Sequence, residues 1–228
     1  MSRRNIWLDL FKIFLCFLVI CIHYVRQKYT HFPLYRLAVP TFFILSGFFT
    51  YNKDNNEKSA FSFIKRSLIY MAIGMFTYFV FDFINTIRFK ESLSDFFKSQ
   101  IYDDFARKFL FYNYSLSKSA NHLWYLIAAF VVSLIHFILI KMKLVKVYPF
   151  IIVFCLFIHL FYSGYLPFNK TSISIYYIRN GIFLGLPLFG IGFLIARFNF
   201  HKKIWYKYIY ISLAIIFFFL QILDARGL

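Results

Sequence analysis

Asp9, Lys12 and His23 lie in one otherwise apolar stretch, residues 6–24, and their types and spacing set the chemistry it can do. Charged and imidazole groups are costly inside a membrane helix, and they generally face a bundle interior or a polar cavity. Eleven residues separate Lys12 from His23. At about 100° per residue a helix brings the two within about 20° of one direction, roughly 16 Å apart along its axis. Asp9, three residues before Lys12, lies on the same broad face and can pair with it. The pantetheine arm of coenzyme A separates a thioester from its phosphates by about that distance. A cation at one end can therefore hold the phosphates while a histidine at the other serves as general base on an acceptor hydroxyl, with a pKa close to working pH. A plainer reading stays open, in which Lys12 snorkels to the interface and His23 is an interfacial residue at the helix end.

Further candidates open later apolar runs. His122 and Trp124 begin one, and Arg179 and Asn180 begin another. At the outer surface these residues can contact an acceptor. His122 reads equally as an interfacial helix start, Arg179 as an interfacial cation, and Trp124 first as an aromatic-belt residue. Arg36 is a candidate for lining the outer vestibule. Ser46-Gly47 reads as a small-residue helix contact rather than a nucleophile, because no base lies within a turn. His136 and His159 have no acidic neighbour at helical spacing and read as hydrogen-bonded bundle histidines. No histidine pair at i, i+4 marks a metal site, and no metal is expected. Cys16, Cys21 and Cys155 fall inside apolar runs without ligand spacing and read as small core residues.

The elements that must position these groups are membrane helices. The 228 residues are 61% hydrophobic and only 15% charged, where soluble domains run nearer a quarter charged. Thirty-five Phe and 18 Tyr are too many for one compact core and fit side chains that face lipid. At about 20 residues per crossing, the expected fold is all-α: a polytopic transmembrane bundle of about seven spans with a cytosolic N-terminus. The spans are placed at 6–24, 34–51, 67–87, 122–140, 148–165, 178–196 and 206–223, leaving no room for a large soluble domain. The first run carries Asp9 and Lys12 and lacks a small-residue cleavage site, so it reads as a span, not a cleaved signal.

The net charge of +17 is carried by short basic runs between these spans. That arrangement suits topology control and attraction to anionic lipid or phosphate, and it argues against nucleic acid as a partner. Arg3 and Arg4 precede the first span. Lys53, Lys58, Lys65 and Arg66 fall between the second and third, Lys141, Lys143 and Lys146 after the fourth, and Arg197, Lys202, Lys203 and Lys207 after the sixth. Alternating spans put all of them on one side, which the positive-inside rule makes cytosolic. The connection 89–121, amphipathic at 93–98 and 105–111, is expected to lie along the interface.

Several segments resemble membrane acyltransferase family 3. Asp9-Leu-Phe-Lys12 followed by His23 looks like that family's first-helix signature, a basic residue ten intervening residues before a histidine. Ala38-Val-Pro-Thr-Phe-Phe-Ile-Leu-Ser-Gly-Phe-Phe49 resembles its Val-Pro-x-Phe-Phe-x-x-Ser-Gly-Phe motif. His122-Leu-Trp-Tyr-Leu126, Arg179-Asn-Gly-Ile-Phe183 and Phe189-Gly-Ile-Gly-Phe193 are similar to later elements. The resemblance runs from about residue 6 to 197, and within the family it extends to the membrane domain of the vancomycin-resistance serine racemase.

The resemblance implies a cytoplasmic-membrane enzyme that moves an acyl group, commonly acetyl from acetyl-CoA, to a hydroxyl of a cell-surface glycan or lipid-linked sugar. By the same resemblance His23 is the catalytic histidine, and Asp9 and His122 complete the candidate catalytic set. Lys12, Lys65 and Arg66 would face the phosphates of the acyl-CoA, and Arg36, Trp124, Arg179 and Asn180 the acceptor. Where many members carry a spaced Arg pair, this chain reads Lys65-Arg66-Ser-Leu-Ile69. The family fold has ten or more spans, so residues 1–228 are expected to form one transmembrane domain shortened at its C-terminus. The alternatives are an amino-acid (serine) uptake module, as the racemase resemblance implies, and an inactive truncated remnant.

Overall fold

The structure, a computed structural model, describes residues 6–24, 37–89, 92–100, 109, 123–162 and 180–199. Among them every regular element is helical: α1 (Ile6–Tyr24), α2 (Ala38–Thr50), α3 (Asn56–Arg88), α4 (Leu93–Gln100), α5 (Trp124–Lys141), α6 (Tyr148–Tyr162) and α7 (Leu186–Arg197). A 3-10 turn, Leu144–Val147, leads into α6, and a single π-helical turn, Gly181–Gly185, leads into α7. The all-α expectation holds for these residues, and α1 coincides with the first predicted span. The seventh, 206–223, lies outside the described residues.

Local sequence explains where several helices start. Pro40, Pro149 and Pro187 each fall in the first turn of their helix, where a missing amide removes no helical hydrogen bond. α3 starts well before the predicted 67 because Asn55 caps it, its side-chain oxygen accepting from the Lys58 amide at 2.8 Å. Glu57 in the first turn and Arg88 in the last suit the helix dipole. Lys58, Lys65 and Arg66 are therefore helical, which corrects their assignment to a connection. At 33 residues, α3 runs about 50 Å against roughly 30 Å of hydrocarbon. Its outward apolar surface becomes dense just past Arg66, with Leu68, Ile69, Ile73, Phe76, Phe81, Ile84 and Ile87 all exposed.

α3 and α5 are long and apolar enough to cross a membrane, while Ala38–Thr50, Leu144–His159 and Gly181–Arg197 are shorter apolar helices. The missing ends of those predicted spans, at 34–36, 163–165 and 178–179, lie outside the described residues. α4 covers part of the amphipathic connection. It buries Phe96 against Phe79 and Phe83 of α3, with ring centroids 5.6 and 5.8 Å apart.

The core joins α2, α5, α6 and α7 through Phe43, Ala128, Ala129, Val132, Leu139, Tyr148, Leu186, Phe189 and Phe193. α2 and α7 run parallel with their backbones in close approach. A Cβ on Gly47 would strike the Phe189 carbonyl, and one on Gly192 would strike the carbonyl of Ile44. Apolar lipid offers little drive for helix association, so such small-residue crossings supply the packing that holds helices together. α3 and α5 run antiparallel, joined by a buried hydrogen bond between the Ser67 and Ser133 hydroxyls at 3.1 Å. A smaller cluster, Leu15, Leu18 and Ala38 with Val19, Phe42 and Leu45 around it, seats α1 on α2.

These pairings fix relative directions. Ser59 donates to the Thr50 carbonyl at 2.6 Å, tying the start of α3 to the end of α2. Tyr51 and Tyr148 both pack against Phe193. The turn at 51–55, the turn at 142–147 and the end of α7 consequently share one end of the bundle. Lys53, Lys58, Lys141, Lys143, Lys146 and Arg197 gather there, the clustering that the expected orientation requires.

Candidate functional site

α1 carries the charged groups, and its packing decides where they sit. Leu15 and Leu18 are the most buried described side chains of this helix, and Lys12 lies one turn before Leu15 on the side that meets α2. The Lys12 ammonium stands 3.5 Å from the Asp9 carboxylate, with the two side chains 39% and 31% exposed. It also lies over the ring of Phe49, 4.6 Å from the centroid. The expected Asp9–Lys12 pair is therefore present, and the cation is turned toward α2. Phe49 is a contact that the sequence reading missed. Finding it requires the antiparallel register of α1 on α2, which neither helix states alone.

His23 belongs to the last turn of α1, and its side chain is outside the described residues, as are Arg36, His122 and Arg179. Its place in the helix keeps the relation to Lys12 derived above, three turns along the same axis.

Lys65 and Arg66 are exposed on α3, away from the face that carries Ser67. Arg66 Nε donates to the Ser62 carbonyl of its own helix at 3.3 Å. The principal packing partner of α1 is α2, so these two cations approach the basic end of the bundle from a separate helix.

Trp124 and Asn180 lie toward the opposite end. Trp124 opens α5 and packs partly buried against the core. Asn180 is fully buried, and its side-chain oxygen accepts from the amides of Ile182 and Phe183 at 2.9 and 2.8 Å. It caps the π-helical turn, which accounts for an Asn before Gly181 on structural grounds. Tyr125, next to Trp124, packs on Phe42 and Phe43 with centroids 5.9 and 4.8 Å away. Its hydroxyl hydrogen-bonds Ser46 of α2. Gly47 beside Ser46 makes the small-residue contact that the sequence suggested.

His136 is a buried bundle histidine, as expected. Its Nδ1 lies 2.6 Å from the Tyr148 hydroxyl. Phe189 and Phe193 pack edge-on to the ring, and Nε2 has no hydrogen-bond partner among the described residues. Among the described residues no group of three His, Cys, Asp or Glu side chains is placed to hold a metal ion.

Apolar helices joined at glycine crossings, two of them long and apolar enough to cross a membrane, with an ion pair carried in α1, define an all-helical bundle. The chain matches the acyltransferase domain of the acyltransferase 3 family over residues 5–225 and belongs to that family, an integral membrane family. Membership suggests membrane O-acyltransferase activity and leaves the acceptor open. No curated protein and no solved structure matches the chain.

Proposed function

We propose that the protein transfers an acyl group, acetyl in the simplest case, from acyl-CoA to a hydroxyl of a cell-surface glycan or lipid-linked sugar. The observation that carries this reading is the Lys12 ammonium, held on the α2 side of α1 by Asp9 and Phe49, on the helix that also bears His23. In this reading the basic end faces the cytosol, where Lys12, Lys65 and Arg66 attract the phosphates of the donor. The thioester reaches along α1 to His23. The imidazole takes the proton of the acceptor hydroxyl as its oxygen attacks the thioester carbonyl. The carbon–sulfur bond then breaks, and the departing thiolate takes the proton from the imidazolium, returning His23 to its starting state.

Conversion of His23→Ala tests this directly. The variant should insert and accumulate like the parent but transfer no radiolabel from acetyl-CoA to envelope glycan. Undiminished labelling by His23→Ala refutes the mechanism. Labelled serine accumulating in vesicles with no acyl-CoA consumed replaces it with the uptake reading that the serine-racemase resemblance implies.

A further inference from the structure

We propose that Phe49 is a positioning residue for the donor site, holding the Lys12 ammonium between its ring and the Asp9 carboxylate so that the remaining donors face the phosphates of acyl-CoA. The proposal rests on the acyltransferase reading above and adds Phe49, the residue that directly follows the Val-Pro-x-Phe-Phe-x-x-Ser-Gly-Phe segment.

The geometry supplies three elements. Asp9 approaches the ammonium from within α1 at 3.5 Å, and the Phe49 ring approaches from α2 at 4.6 Å. An ammonium has three donors, and a carboxylate on one side with a π-face on another leaves the rest directed elsewhere. The platform is carried by a well-packed stretch of backbone, although the Phe49 ring is itself 46% exposed. Phe49 follows Gly47 and Phe48 in the segment where α2 meets α7 backbone to backbone, and the Phe48 ring meets it edge-on at 5.3 Å. Lysine needs such a holder more than arginine does, because its charge sits on a flexible four-carbon stem without a planar fork.

A ring on a neighbouring helix also ties the cation to the α1–α2 packing. A shift of α1 on α2 would therefore move the charge off the ring.

The test compares the detergent-purified full chain with Phe49→Leu and Phe49→Tyr. With acetyl-CoA as probe, Phe49→Leu should raise KM about fivefold, the effect of one cation–π contact at a partly exposed site, with kcat held within about twofold. Phe49→Tyr, which keeps the π-face, should restore KM. In a Lys12→Ala background, Phe49→Leu should have no further effect on KM. A fall in kcat with unchanged KM, failure of Tyr to rescue, or an undiminished effect without Lys12 overturns the proposal.

A second arm needs no turnover. Acetic anhydride labelling of Lys12, read by mass spectrometry, should quicken severalfold in Phe49→Leu and not in Phe49→Tyr, and equal rates in all three proteins overturn the clamp. A parent protein that consumes no acyl-CoA sinks the acyltransferase reading instead, while the labelling arm still decides whether Phe49 holds Lys12.

Discussion

Replacing Gly192 with Ala probes the contact on which the bundle most depends. A Cβ at Gly192 would collide with the carbonyl of Ile44, and one at Gly47 with that of Phe189. Both obstacles are backbone, so no rotamer change relieves them and α2 must move off α7. Overpacking of this kind costs about 1–3 kcal/mol, and a backbone obstacle belongs at the upper end. Ala in place of a mid-helix Gly returns up to about 1 kcal/mol. The net expectation is a loss of about 2 kcal/mol, a fall in melting temperature on the order of 4–8 °C for a chain of this size.

Gly74→Ala on α3 is the control. Its Cβ would meet methyl groups of Leu123 and Leu126 at 3.0 and 3.3 Å, side-chain tips that can yield, so its melting temperature should stay within about 2 °C of the parent. The double variant Gly47→Ala/Gly192→Ala should lose less than the two single losses combined, because one separation of the helices relieves both collisions. The assay is thermal unfolding in detergent, followed by tryptophan fluorescence and by retention of a monodisperse peak. If Gly192→Ala melts with the parent, or if Gly74→Ala falls as far, the backbone crossing is not what holds α2 to α7.

Two further outcomes follow from buried polar groups. Tyr148→Phe removes the hydroxyl at His136 Nδ1 and should cost about 1–3 kcal/mol in the same melt, whereas the double change His136→Phe/Tyr148→Phe should recover most of it by leaving no polar atom unpaired. Asn180→Ala should lower stability by about 1 kcal/mol through loss of the cap, and Asn180→Ser, which keeps a short neutral accepting oxygen, should recover part of it. A change in acceptor KM without a change in melting would instead give Asn180 a role on substrate.

The all-helical architecture is legible in the sequence because each apolar run must satisfy its own backbone within lipid, and helices do this independently. α1 illustrates the success, since an apolar run of spanning length with no Gly or Pro leaves little choice of bounds. α3 illustrates the limit. Hydropathy finds the stretch that suits hydrocarbon, beginning near Leu68, but the helix begins where Asn55 satisfies its first amides. A cap is a local hydrogen-bond event that no average over a window of residues detects. Helix bounds and membrane bounds are different physical quantities, and Lys65 and Arg66 fall in the gap between them.

The site shows the same division between what lies within one helix and what lies between helices. The Asp9–Lys12 pair follows from a spacing of three and needs no partner helix, so it was readable at once. The contact of Lys12 with Phe49 depends on which faces of α1 and α2 meet and in what register. Leu15, Leu18 and Ala38 set that register through their packing. Those three residues look, in sequence, like any other apolar positions of a membrane helix. A charge at residue 12 is therefore given direction by methyl groups at 15 and 18, and any substitution there that lets α1 rotate on α2 should carry Lys12 away from Phe49 without touching either side chain.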